Sequence, residues 1–191
     1  MHTIEPFWNW RHLYASEEDP ASPFYGVEHS EFEFGHAVYD HVIHPQWDAF
    51  GSQTLYLKIL YADPASGTAI IELIGEWNDL LHNDIMFLKR EVIELLMAEG
   101  LKKFILIGEN VLNFHSDTDS YYEEWWEEVE EQGGWIALLG FRAHVLHDLA
   151  AADIDRFFVS GGSMNDIPWR TFEPEELVEL VERSVIRRLG V

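Results

Sequence analysis

The chain reads as an α/β protein in which a β-hairpin opens a mixed sheet and helix–strand repeats continue it. Three observations predict this class. Two apolar runs, residues 55–61 and 68–77, lie one turn apart. Three repeats of helix then strand follow, ending in the apolar runs 104–108, 135–141 and 157–160. The central runs, Ile105 to Ile107 and Ile136 to Leu139, are apolar at every position, so both faces of their sheet need cover.

Leu55, Leu57, Ile59 and Tyr61 alternate with Tyr56, Lys58 and Leu60 as one strand. Asp63, Pro64, Ser66 and Gly67 supply a turn, and residues 69–74 return as the second strand. Asn78 and Asp79 can cap the first helix, with Asn83 and Asp84 as later alternatives. Ile85, Leu88, Val92, Leu95 and Leu96 have helical spacing, and Gly100 closes that helix. Residues 102–108 form the next strand, and a polar link over 109–119 leads to a helix over 120–132. A strand at 135–140, a helix from about 143 to 152 and a strand ending at Ser160 complete the repeats. Pro174, Glu175 and Glu176 suit a helix start, and Arg187, Arg188 and Gly190 suit its end.

Strand–helix–strand units set neighbours parallel through right-handed crossovers, and the opening hairpin is antiparallel. If strand order advances one way, the crossover helices lie mainly on one face. The remaining cover is expected from residues 1–50, an aromatic N-terminal arm holding Trp8, Trp10, Phe24 and Trp47, with one strand near 37–44. So many rings need burial, against the body of residues 51–191 or against a second copy in a homodimer.

Composition bounds the function. At 47% hydrophobic and 14% aromatic residues the chain is too apolar to be disordered. Twelve basic against 35 acidic residues give a formal charge of -23, which repels phosphate backbones and anionic lipid, so neither nucleic acid nor membrane is expected as partner. The acidity serves solubility, and it would also suit a high-salt cytoplasm. Cysteine is absent, which removes disulfides and thiolate chemistry. Without a basic-then-apolar leader or a spanning apolar run, a cytoplasmic location is the expectation.

His115, Asp117, Asp119 and His144 could supply nitrogen and oxygen donors to zinc or a harder divalent ion if they converge. No His-Glu-x-x-His helix, EF-hand loop, Gly-x-Ser-x-Gly turn or Walker-type loop is present, so no catalytic residue, metal or cofactor is assigned. Trp77, Asn78, Glu109, Asn110, Asn113, His115, Arg142 and Ser160 are expected near the strand C-terminal ends, the ligand-binding edge of an open sheet. Arg142 stands out among scarce cations; it would bind an acidic group or, more simply, a local carboxylate. The acidic run Glu123, Glu124, Glu127, Glu128, Glu130 and Glu131 reads as one solvated helix face.

The order hairpin, helix, strand, helix, strand, helix, strand resembles that of the STAS family, named for sulfate transporters and anti-sigma-factor antagonists. Gly75-Glu76-Trp77-Asn78-Asp79 looks like that family's entry to its first helix, and residues 104–108 with Val111, Asn113 and Phe114 are similar to its third strand and following loop. The resemblance implies a non-enzymatic module that binds partner proteins, several members being switched by phosphorylation where the third strand meets the next helix. That place here holds Phe114, His115, Ser116, Asp117, Thr118, Asp119 and Ser120; hydroxyls are present, the family's glycine is missing, and two aspartates intrude. Added phosphate would meet those carboxylates, which opposes the attraction of a helix N-terminus. These residues and Arg142 are the candidate partner-binding or switch residues, and the acidity calls for a partner with a basic surface. A metal-dependent or carboxylate-based enzyme and a small-molecule binder are the alternatives.

Overall fold

A computed structural model describes residues 3–189. Its centre is a four-stranded sheet of β3 (Leu55–Asp63), β4 (Thr68–Asn78), β5 (Lys103–His115) and β6 (Trp135–Leu139), in that spatial order. β3 and β4 pair antiparallel, and β4–β5 and β5–β6 pair parallel. The antiparallel opening and the parallel repeats are those the sequence predicts, and the strand order, left conditional there, advances one way. A separate two-stranded hairpin, β1 (His36–Val38) with β2 (His41–Ile43), replaces the single strand expected near 37–44.

β5 does not stop at Gly108 but runs to His115, so the expected polar link is largely strand. The reason lies in its neighbour: β4 is 11 residues long and offers backbone partners as far as Asn78, opposite His115. Conversely, the strand expected over 157–160 shrinks to one bridge, Val159 against Ala137, after a 3-10 turn at Asp155–Phe157.

One face of the sheet carries α1 (Asp79–His82), α2 (Asp84–Leu88) and α3 (Glu94–Ala98), α4 (Ser120–Glu131) and α5 (Ala143–Ala151). A π-helical turn, Lys89–Ile93, joins α2 to α3. Ile85, Leu88, Val92 and Leu96 pack with Tyr122, Trp125, Val129, Val145 and Leu149 onto Leu57, Ile71, Leu73, Phe104 and Leu106. Lys89 is fully buried there, and its ammonium meets Glu94 at 2.9 Å, Glu124 at 3.3 Å and Glu128 at 3.1 Å. Burial works against that charge, but hydrogen bonds to Glu94 and Glu128 outweigh it and hold the Lys89 pKa above its ordinary value. The acidic face of α4 is therefore in part an ion-pair partner, beyond the solvated face expected.

The opposite face is shared. The arm was expected to cover it, yet α6 (Pro174–Leu189) takes the larger part, setting Leu177, Val181 and Val185 on Ile70, Ile105, Ile107 and Leu139. A helical stripe of that spacing must be buried somewhere, and this face is the one left open by the crossovers. The arm contributes Trp10, whose Nε1 donates to the Phe172 carbonyl at 3.0 Å, and a second patch in which Val38, Ile43 and Trp47 lie on Tyr56 and Ile74. Phe24 and Phe50 turn round the β3 edge to the helical side, and Asp48 bridges to Leu57 along that edge.

Candidate functional site: the groove at the strand C-terminal ends

The turn from β4 into α1 builds one end of the sheet. Gly75 has φ +118°, and a Cβ there would lie 2.0 Å from the Thr54 carbonyl oxygen, so only glycine lets the chain pass this close. Asn78 then caps α1, its side chain accepting from the Leu81 N–H at 3.0 Å. Asp79 and Asp84 turn inward. Asp79 accepts from Trp77 Nε1 at 3.2 Å, from the Ile85 N–H at 2.8 Å and from the Tyr122 hydroxyl. Asp84 accepts from Ser52 at 2.6 Å and from the Asn78 N–H at 2.8 Å. Burial pushes the Asp79 pKa up to about 6 despite those donors, and burial likewise raises Asp84.

Glu76, also buried, anchors the outer part of the site. Its Oε1 lies 2.9 Å from His115 Nε2 and accepts from Asn78 Nδ2 at 3.2 Å, while the Tyr39 hydroxyl donates to Oε2. Tyr39 sits in the β1–β2 turn with φ 52°, a left-handed conformation uncommon for a bulky residue. Around this cluster open two adjoining hollows that share Leu80 and His115. One, of about 350 Å³, is lined by Tyr39, Thr54, Glu76 and Leu81 among others. The other, of about 500 Å³, is lined by Phe114, Ser116, Asp148, Ala151 and Ala152. Leu80 and Leu81 are 62% and 73% exposed, an apolar pair standing free at the rim.

The candidate residues divide. Phe114 is buried, edge-on to Trp77 and Tyr122, and forms groove floor rather than rim. His115 is exposed and Ser116 half-buried, both facing the groove. Asp117 and Thr118 are exposed; Thr118 and Ser120 share a hydroxyl–hydroxyl contact at 3.2 Å. Asp119 stands at the N-cap position of α4 without a side-chain capping bond and instead pairs with Arg156 at 2.8 Å. Arg142 meets no carboxylate among the described residues: its Nε donates to the Glu109 carbonyl at 3.2 Å.

The expected gathering at this edge is incomplete. Asn78 and His115 adjoin, but Glu109 points through the opposite face to Trp169 Nε1 at 2.8 Å and Arg170 at 2.6 Å. The possible metal set does not converge either: His115 engages Glu76, Asp119 engages Arg156, and His144 Nε2 lies 2.6 Å from the Leu112 carbonyl. Among the described residues no three His, Asp or Glu side chains group as metal ligands. Sequence reasoning missed Tyr39, Glu76, Leu80 and Leu81 as site residues. The signal for the leucines was present, since they fall outside the helical stripe that begins at Ile85.

No protein-family model matches the chain, and no curated protein matches it. The solved structures similar to it include two that follow. One is a crystal structure of a candidate anti-sigma factor antagonist from Thermotoga maritima, 17% identical, covering 58% of this chain and 87% of that one with a TM-score of 0.42. The other is an NMR structure of the protein TM1081, 15% identical, covering 71% of this chain and 90% of that one with a TM-score of 0.40. No helix among the described residues is long and apolar enough to cross a membrane.

Proposed function

We propose that this chain is a non-enzymatic, cytoplasmic protein-interaction or regulatory module, and that its partner seats in the groove at the strand C-terminal ends. The observation that carries the reading is the free apolar pair Leu80 and Leu81 beside a groove whose polar groups include Asp148, His115 and Ser116, with Asp117 exposed nearby. Exposed leucines rimmed by polar groups mark association surfaces, and a carboxylate-rich rim on a chain of formal charge -23 selects a cationic partner. The β1–β2 hairpin of the arm acts here as a fixed part of the module, because Tyr39 holds Glu76 and so shapes the groove wall.

The test is capture from native lysate at low and high salt, with wild type beside a Leu80→Ser, Leu81→Ser double variant and a remote Glu127→Gln control. The expected outcome is a protein retained by wild type and control, lost by the double variant and weakened by salt. A set of captured proteins that the double variant leaves unchanged would refute the groove as the docking surface.

A further inference from the structure

The other end of the sheet holds a further hollow, at the N-terminal ends of the parallel strands and far along β4 and β5 from the groove. Register places Asp63, Thr68 and Lys103 side by side across β3, β4 and β5. Side chains alternate along a strand, and Ile70 packs toward α6, so Thr68, two residues before it, points the same way. Facing this row, α6 presents Glu175, Val178, Glu179 and Glu182, whose spacing puts them on one helix face. Between them lies a hollow of about 300 Å³, also lined by Tyr61.

Three features of this hollow point to a ligand. Four carboxylates (Asp63, Glu175, Glu179 and Glu182) line it against a single ammonium, Lys103, which pairs with Glu182. The Thr68 side chain is fully buried and its hydroxyl has no hydrogen-bond partner among the described residues, a state that native proteins rarely leave uncompensated. The walls between the charges are apolar, from Val178 and the Tyr61 ring. The local field is felt by Tyr61 itself: burial, then Asp63 and Glu175, raise its pKa above the ordinary value.

We infer that this hollow binds a linear aliphatic polyamine, its ammonium groups on Glu175, Glu179, Asp63 and the Thr68 hydroxyl and its methylenes along Val178 and Tyr61. A single divalent ion is the poorer fit. Such an ion needs about six oxygens at roughly 2.0–2.6 Å, whereas no three acidic side chains among the described residues group as ligands. Charges spaced along a chain match carboxylates spaced along a helix face.

Isothermal titration calorimetry of the full chain with spermidine at fixed ionic strength tests this, with magnesium chloride and sodium chloride as charge controls. One spermidine is expected per chain. Glu179→Gln and Thr68→Val should each weaken it by about tenfold, the scale of one lost charge-assisted hydrogen bond, and Glu127→Gln on α4 should not. Glu179 is exposed, so its variant keeps the fold, which circular dichroism checks. Spermidine binding at several sites, binding indifferent to Glu179→Gln, or equal displacement by magnesium at matched ionic strength would each overturn the assignment in favour of a diffuse counterion cloud.

Discussion

The two faces of the sheet are closed by different kinds of chain. On the helical face the covering helices all follow directly on the strands they cover, so most burial comes from segments near in sequence, and the arm adds only Phe24 and Phe50 round the β3 edge. On the other face the cover comes from both ends of the chain: Trp10 and the β1–β2 hairpin from the arm, Trp169 and α6 from the last thirty or so residues. Each face also hides a carboxylate. Asp79 on the helical side is held by uncharged donors, whereas Glu72 on the other side takes the Phe7 N–H at 2.9 Å and lies 3.9 Å from Arg170. The difference teaches that one side is stitched by the chain's continuity and the other by contacts that tie distant ends together.

The largest expected effect probes whether the faces form one cooperative unit. Trp125→Ala empties a fully buried site on the helical face and should cost about 3–5 kcal/mol in urea unfolding. Trp10→Ala should instead free the arm locally, since the arm is joined mainly by side-chain contacts. Hydrogen exchange would then quicken in the arm and leave β4 and β5 protected. Equal loss of protection in the arm and in those strands would break the contrast.

A pH effect comes next. Burial pushes the Glu72 pKa up to about 7 from 4.5, against the Phe7 N–H and Arg170, which lower it. The folded state therefore binds this proton more tightly than the unfolded state, and its stabilising effect is complete below pH 4.5 and lost as pH rises through 7. The loss is about 3 kcal/mol by linkage. Glu72→Gln should remove that slope, gaining on wild type steadily between pH 4.5 and 7 in thermal melts. Asp79, raised from 3.8 to about 6, should leave its own lower window in the variant. Parallel curves for wild type and variant would show that Glu72 does not titrate there.

The smallest effect sharpens the comparison from the surface. Arg156 bridges Asp119 and Asp153 with all three side chains about half exposed or more, so Arg156→Gln should shift stability by less than about 1 kcal/mol. A larger shift in the urea midpoint would mean that the bridge fixes the start of α4 and with it the groove.

Much of this was legible in the residues. The stripe Ile85, Leu88, Val92 and Leu96 and the capping Asn78 define the first helical stretch, and Pro174 marks the start of α6. The extra length of β5 was not, because Glu109, Asn110 and Asn113 look like loop until β4 is seen lying beside them. The site was half legible. The segment from Phe114 to Ser120 drew attention through its hydroxyls and acids, whereas Glu76 stood in the 75–79 motif with no role of its own until His115 and Tyr39 met it.

Local pattern alone determined the order of the central elements from β3 to α5, the antiparallel opening and the need for cover on both faces, since these depend on side-chain period and turn residues within a few positions. Tertiary structure decided that α6 shares the second face with the arm, where β5 stops, and which acids are buried. Those outcomes depend on what segments far apart in the chain offer one another, in backbone partners and apolar area, and no short window of sequence carries that information.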